Sequence, residues 1–462
     1  HYWQAKTALE RVEAHFTSPA GDALNSADQL KDYMAALDGD AAYNYEDRGD
    51  AERLFAKPPK GSRELTAAYQ VPYLAHACME PMNCTVDARA GACEIWVGAQ
   101  SVSLVRDAVA ELLDLDEEEV TVHATYLGGG FGRRSEVDFA LQAAQLSKAA
   151  GRPVQLIWSR EEDIRHDTFR PMAVGRLKGL LGSDGGLLAL AARTAGQSVT
   201  ANFMGRVMPV AATAEPDPSS VEGLAFTPYE IPHRRVDHSL MENPVPVGFW
   251  RSVGHSFNAF FGESFMDELA HEAGRDAFAF RRALLAGHPR QLAVLDKLEA
   301  ASRWGSVSGD GPRQGQKRGQ GLALHLSFGS IVGQVMDISV IEGAVRIEKV
   351  TCVIDCGQIV NPSIIEAQME SGIIFGLTAA FFGEITLQDG AVLESNFHDY
   401  RMLRMAQTPL IETHIMPSVE APGGVGEPGT PPAAPALLNA IFAATGKRYR
   451  RLPLAASDLA PI

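Results

Sequence analysis

The sequence predicts an α+β fold of mixed sheets with flanking helices. Two observations carry this. Short runs alternate apolar and polar residues with a period of two, while others repeat at i, i+4 and i+7. Strand-like, helix-like and glycine-rich stretches are also mixed along the chain, with no repeat of fixed period.

In chain order, Trp3, Ala5, Ala8, Leu9 and Val12 fall at roughly helical spacing and predict a short amphipathic helix. Residues 22–52 are acidic and polar, which reads as a solvated surface connection with a short helix near 30–37. Order resumes at 67–72, and 94–97 read as a strand running up to Gln100. Val105, Val109, Leu112 and Leu113 mark a helix. The strand pattern of 120–127 runs straight into Gly128-Gly129-Gly130-Phe131-Gly132-Arg133-Arg134. There Ser135 and Asp138 look like a capping box for a helix through Ala150. A strand at 153–159 follows. Residues 185–232 are aperiodic and receive no assignment.

Residues 243–254 form a Gly/Pro-rich aromatic loop, and 257–286 a long helix with a break near Gly274. A linker composition at 306–318 places a boundary there, giving a connecting segment 1–62 and domains 63–305 and 306–462. A hairpin is expected from 334–341 and 345–355, and a helix at 363–383. Within that helix, the apolar run 372–383 is too short to span a bilayer, so no transmembrane segment is expected. The stretches 385–387 and 391–393 flank the turn Asp389-Gly390. A last helix, 433–445, ends at Gly446.

Of the 462 residues, 46% are hydrophobic and 21% charged, a balance that supports a substantial core and two to four domains. A net charge of −16 argues against nucleic acid or an anionic membrane as partner. The five cysteines (Cys78, Cys84, Cys93, Cys352 and Cys356) include no C-x-x-C pair. Neither a disulfide scaffold nor a zinc or iron–sulfur spacing is present, so any iron–sulfur centre must belong to another chain. There is no signal-like leader. The start at His1 rather than Met is read as processing, truncation or a divided subunit, and it fixes no compartment.

Four stretches carry candidate chemistry. Gly423-Gly424-Val425-Gly426-Glu427-Pro428-Gly429-Thr430-Pro431-Pro432 sets one carboxylate, Glu427, in a stiff loop that allows close approach to a bulky ligand. Read alone, Glu427 is a base, a metal ligand or a helix cap. GGGFGRR is a strand-to-helix turn whose N–H groups can face an anion, or a tight turn bearing two solvated arginines. It lacks both the Lys-Ser/Thr of a phosphate loop and the Rossmann spacing. Asp355-Cys356-Gly357-Gln358-Ile359-Val360-Asn361-Pro362 is an Asn-Pro turn opening a helix that carries Gln368, whose amide suits a heterocycle with donors and acceptors. Trp250 and Arg251 sit in the aromatic loop. His76 and Glu80 stand four residues apart, but no third metal ligand is in view, so zinc is not expected.

In this order the motifs EPMNCTV (80–86), WVGAQ (96–100), GGGFGRR (128–134), WSREED (158–163), GFWRSVGHS (248–256), DCGQIVNP (355–362), NFHDY (396–400) and GGVGEPGTPP (423–432) carry a resemblance. The chain resembles the molybdenum-binding large subunits of the xanthine dehydrogenase/aldehyde oxidase family. Its pattern looks most like the isoquinoline 1-oxidoreductase β subunits. The resemblance runs from about Tyr69 onward.

It implies molybdenum held by molybdopterin cytosine dinucleotide, with no metal ligand from the protein. It also implies Glu427 as the base of a hydroxylation that takes its oxygen from water, on an N-heteroaromatic compound or an aldehyde. By the same resemblance, Gln100, Gly129, Gly130, Phe131, Gly132, Arg251, Gln368 and Gly426 would contact the cofactor, and Trp250 and Arg170 the substrate. A small [2Fe-2S] subunit would take the electrons, and a cytochrome c could follow. A companion chain or N-terminal half would complete the site, because family subunits carry a further region with a Gly-Gln-Gly segment that Gly319-Gln320-Gly321 is not assumed to replace. Related subunits are often exported as folded complexes, so by analogy a periplasmic setting is favoured over a cytoplasmic one.

Departures narrow the reading. Xanthine-oxidising members continue GGGFG with Gly-Lys-Glu. Here Arg133-Arg134-Ser135 stand there and Glu136 is one place out of register, so purine oxidation is not expected. No cysteine lies near GFWRS, against a CO-oxidising site. Two other classes remain open at this point: a non-catalytic assembly or scaffold subunit, and a dinucleotide-binding module without metal.

Overall fold

The computed structural model describes residues 1–15, 24–208, 216–454 and 459–461. Among these residues, three sheets and a two-stranded ribbon are surrounded by helices, the mixed arrangement expected. The first sheet runs Tyr43–Arg48, His233–Leu240, Leu187–Gly196, Ala173–Leu181, Arg63–Val71 in space. Only its Leu187–Gly196/His233–Leu240 pair is parallel. The second runs Val120–Ala124, Ala92–Val97, Asn83–Arg89, Val154–Ile157. The third is built on Lys317–Ser327, Ser330–Ile341 and Ala344–Asp355, with Leu410–Ile415 added in parallel.

Local chemistry accounts for these elements. The hairpin turns at Glu342 and Gly343, with φ of 49° and 80°. Positive φ at both central residues matches the right-handed twist of the flanking strands. The second sheet is covered by the helices Val102–Leu113 and Asp138–Ala150. Val105 and Val109 of the first, and Phe139, Ala140 and Ala143 of the second, bury against Val86, Ile95 and Val97. The largest core joins the first and third sheets through the helices His255–Glu272, Pro289–Ser302, Pro362–Phe381 and Ala433–Thr445.

At its centre Glu263 is buried and meets Arg281 (Nε to Oε2, 3.0 Å), the Tyr229 hydroxyl (2.7 Å) and the Leu324 N–H (2.9 Å). This carboxylate therefore ties the helix His255–Glu272 to the third sheet. Arg281→Met would leave it buried without its cation, and we expect a loss of about 3–5 kcal/mol of unfolding free energy, read by denaturant titration.

Several elements depart from the sequence reading. The polar stretch 22–52, of which 22 and 23 lie outside the described residues, is not merely a wet connection. The helix Ser26–Ala36 buries Tyr33, Leu37 is buried just after it, and Tyr43–Arg48 is an edge strand. Two anchors outweigh the charge around them, since Tyr33 packs into a polar cluster with Tyr73, Gln197 and Asn243. The aperiodic stretch contains the strand Leu187–Gly196 and the helix Val199–Val207, while 209–215 lie outside the described residues.

Ser135 and Asp138 form no capping box. Residues Arg133–Ser135 make a 3₁₀ turn, and Asp138 is drawn to Arg133 instead. Gly319-Gln320-Gly321 lies in a strand the sequence reading missed, against the helix Ala433–Thr445. A Cβ on Gly321 would fall 2.1 Å from the Ala440 nitrogen, so these glycines serve helix–strand packing. The opening helix Tyr2–Leu9 forms, with Trp3 and Leu9 exposed.

By length and composition, Pro362–Phe381 is the one described helix that passes as a membrane span, and 56% of its apolar window is buried inside the fold. It reads as a core helix, with Met369, Ile373, Leu377 and Phe381 buried.

Candidate active site

The glycine turn is held from behind by the two arginines, which are buried rather than solvated, at 1% and 0% exposure. Arg134 donates to the carbonyls of Gly98 (2.9 Å) and Gly129 (3.0 Å) and to Glu80 (3.0 Å). Glu80 also accepts from the Gly128 N–H at 2.6 Å. Burial works against its charge, but the Gly128 N–H, Asn83 and Arg134 hold the Glu80 carboxyl below its usual range. Arg133 pairs with Asp138 and, at 3.1 Å, with the buried Asp167. Asp167 in turn holds the His76 ring, whose Nε2 lies 2.9 Å from the Phe249 carbonyl oxygen. Despite its complete burial, His76 and Arg133 keep Asp167 below the ordinary carboxylate range. His76 is thus a buried brace, and no cluster of metal-ligating side chains occurs among the described residues.

On the opposite side, the loop around Glu427 is clamped. Gly424 donates to the Phe328 carbonyl (2.7 Å), and Ser330 and Gln334 side chains donate to the carbonyls of Gly424 (2.6 Å) and Gly429 (2.8 Å). The Glu427 carboxylate accepts from the Ser252 N–H at 2.9 Å, and its carbonyl accepts from the Ser252 hydroxyl at 2.8 Å. That donor comes from a strained turn, with Ser252 at φ 76° and Val253 at φ 46°. A β-branched residue there is a genuine outlier, held because its neighbours over-determine it.

Arg251 joins the two sides. Its guanidinium donates to the Gly426 carbonyl (2.7 Å), the Ser371 hydroxyl (2.9 Å) and the Gln368 carboxamide oxygen (2.9 Å). Burial pushes it down to about 10, with Glu427 opposing. Beside it, Phe131, Phe375 and Trp250 stack with ring centroids 4.7 and 4.5 Å apart in sequence.

The structure therefore brings Gln100, Gly129, Gly130, Phe131, Gly132, Trp250, Arg251, Gln368, Gly426 and Glu427 around one cavity of about 630 Å³. Arg170 is not among its lining residues. It is buried behind Trp250, donates to the Pro72 carbonyl at 2.8 Å, and is pushed down to about 9 by burial, against Tyr400. Glu136 is out of the cavity too, gripped by Arg206 at 2.6 Å, while Ser135 lines it.

Sequence reasoning missed Leu127, Ser135, Phe249, Val253 and Ser371 in the lining, and the brace of Glu80, His76 and Asp167. Glu80 had a usable signal in the motif Glu80-Pro81-Met82-Asn83. Asp167 had none, because its partners are distant in sequence.

The donor set has a clear polarity. Gln100 spends its carboxamide oxygen on the Gly132 N–H (3.0 Å), and Gln368 spends its own on Arg251. Each is left with its NH₂ end to offer a ligand. Two amide donors beside a guanidinium, on a backbone cradle that side chains would fill, suit a bulky group rich in acceptor oxygens. A Cβ on Gly130 would fall 2.5 Å from the Gln100 oxygen.

A family model described as the molybdopterin cofactor-binding domain matches residues 37–285, and a second of the same description matches 271–409. The isoquinoline 1-oxidoreductase subunit beta of Brevundimonas diminuta is 32% identical over 87% of this chain and 51% of its own length. The membrane-bound aldehyde dehydrogenase [pyrroloquinoline-quinone] of Gluconacetobacter polyoxogenes is 32% identical over 83% of this chain and 52% of its own length. The chain thus spans about half the length of these relatives. The quinoline 2-oxidoreductase of Pseudomonas putida 86 has a similar fold, with a TM-score of 0.79 at 15% identity over 97% of this chain and 82% of that one.

Proposed function

Since the chain belongs to the molybdopterin cofactor-binding family, we propose that it is the catalytic part of a molybdenum hydroxylase acting on an N-heteroaromatic compound or an aldehyde. The observation that carries this is the convergence of Glu427, Arg251, Gln368, Gln100 and the glycine turn on one cavity. When bound, the cofactor supplies the two-electron redox chemistry by which oxygen from water enters the product. The protein's part is to bind, orient and move a proton. Gln100 and Gln368 donate to the cofactor's acceptors, Gly129, Gly130, Phe131 and Gly132 give it a close-fitting backbone wall, and Arg251 fixes both Gln368 and the Gly426 carbonyl. Glu427 takes the proton. In this reading residues 63–305 and 306–462 are two cofactor-binding halves, the first supplying Gln100 and Arg251 and the second Gln368 and Glu427.

The cytosine dinucleotide form is the one we assign to the pterin. The relatives named for isoquinoline and quinoline favour a heteroaromatic substrate, and Phe131 and Trp250, stacked on Phe375 behind them, give the cavity aromatic lining. A [2Fe-2S] partner would take the electrons. A companion segment would cover the mouth of the cavity, where Leu127 lines it and Tyr126 next to it is fully exposed.

The complex purified with whatever accompanies it is expected to hold near one molybdenum and release about one CMP per copy of this chain, with an iron–sulfur absorption band. Neither metal nor nucleotide in a folded, assembled complex would discard the reading in favour of a scaffold. A quinone in their place would point to different redox chemistry.

A further inference from the structure

Insertion of oxygen from water, R–H + H₂O → R–OH + 2e⁻ + 2H⁺, hands electrons to the redox centre and leaves protons behind in the site. A base that accepts one must lose it before the next turnover. A second carboxylate stands across the Ser252–Gly254 turn from Glu427. Ser252 binds Glu427, and two residues on, Gly254 lies beside Glu222, where an added Cβ would be in ordinary contact with the Glu222 Cβ at 3.4 Å.

Glu222 lines a separate, mostly apolar cavity of about 320 Å³, with exposed Phe226 also among its lining. Its Oε2 is buried and has no hydrogen-bond partner among the described residues. A buried, unmatched carboxylate oxygen is costly and calls for a reason. Facing it, His255 Nε2 lies 3.9 Å away, too far for a hydrogen bond at rest. His255 is itself fixed, its Nδ1 lying 2.9 Å from His325 Nε2 and its ring packed edge-on to Phe328. Gly223, at φ +87°, makes room for this pair, since a Cβ there would lie 2.7 Å from His325 and 3.2 Å from His255.

We propose that Glu222 receives the proton taken up by Glu427 and returns it to solvent, with His255, held by His325, setting its place. The proton crosses by way of water: as the Glu427 O–H bond breaks, a water takes that proton and passes one of its own to Glu222, the Glu427 carboxylate is restored, and the proton then leaves Glu222 for bulk water. Glu222 acts through Glu427 and is a positioning residue, not a catalytic one. Its surroundings fit the task. Burial, Asp217 and Glu427 push Glu222 up to about 7 against the Gly254 N–H, so it can take and release a proton near neutrality. Burial pushes His255 down to about 4, and burial and His255 push His325 well below its usual range, so the pair stays neutral and does not trap the proton. Asp217, Glu427 and His255 are the titratable groups facing Glu222, with His325 behind His255.

The inference rests on Glu427 being the base, and the test separates the two. In the assembled, cofactor-loaded enzyme, Glu222→Gln should lower kcat by about 10²-fold while KM and molybdenum content stay unchanged. The rise of kcat with pH through about 7, where Glu222 becomes able to accept, should vanish. Added imidazole or formate should restore part of the rate to the variant and none to the wild type. A difference titration of the two proteins, independent of turnover, should show one proton fewer exchanged per chain by the variant between about pH 6 and 8. Should Glu222→Gln fail to assemble, Glu222→Asp should lower kcat yet keep the pH dependence, because a shorter carboxylate still titrates.

An unchanged kcat and pH profile, or an unchanged proton count, overturns the relay. If Glu427→Gln is inactive while Glu222→Gln is normal, this inference alone falls. If Glu427→Gln turns over, the reading of the base falls first.

Discussion

Replacing Glu427 with Gln is expected to lower kcat by about 10²–10⁴-fold or more while molybdenum and nucleotide content stay at wild-type values. The carboxamide has nearly the shape of the carboxylate and still offers an oxygen to the Ser252 N–H, so the 2.9 Å bond that orients the side chain survives. The loop is held by backbone and neighbouring side chains, including Ser252 on the Glu427 carbonyl, Ser330 on Gly424 and Gln334 on Gly429, none of which needs the charge. Loss of the charge is felt by Arg251, whose guanidinium burial has already pushed down to about 10 with Glu427 as the opposing influence. Without Glu427 it should fall somewhat further and stay protonated near neutrality, so its bonds to Gly426, Ser371 and Gln368 should persist. On the proposed reading, what the variant loses is the carboxylate that accepts a proton. Steady-state rates beside metal analysis check this, and turnover near the wild-type rate with full molybdenum would remove Glu427 from the chemistry.

The sequence made this site legible because its parts are local signals. Glycines packed around one acid, a glycine run between a strand and a helix, and an Asn-Pro helix start can each be read from a few adjacent residues. The Asn361 side chain does accept from the Ile364 N–H at 3.3 Å, as a cap should. Illegible were the contacts that close the site. The buried arginines looked solvated because Glu80 lies about fifty residues earlier and Asp167 over thirty later, and neither partner is visible to a local reading. Arg170 was placed by analogy alone, and the fold turns it away behind Trp250. Glu222 fell in the aperiodic stretch, where no period gave a direction to its side chain. The edge strand Tyr43–Arg48 was masked by its charges, because an edge strand exposes enough surface to carry them.

Gly132→Ala is expected to cost the chain most of its cofactor, and the reason is geometric. At φ 106° and ψ −31°, the backbone of Gly132 is in a region that side chains rarely enter. An added Cβ would fall 1.4 Å from the Phe249 carbonyl oxygen, so something must move. Phe249 cannot yield cheaply, because His76, Asp167 and Arg133 brace its carbonyl in series. If the 249–251 loop is nonetheless displaced, Arg251 loses its grip on Gln368 and Gly426. If the 131–132 peptide turns instead, the Gly132 N–H leaves the Gln100 oxygen, a 3.0 Å bond that orients the amide. Either route disrupts one wall of the cavity, and a cost of about 3 kcal/mol is roughly a hundredfold in cofactor affinity. Gly151→Ala is the matched control, since Gly151 has φ 61° but no atom within 4 Å of an added Cβ. It should lose only about 1–2 kcal/mol of stability from the left-handed backbone and keep its molybdenum. Metal and CMP measured on both variants, with folding checked by denaturant titration, separate cradle from backbone strain. A Gly132→Ala protein that retained full molybdenum would show that the glycine turn serves the fold and not the cofactor.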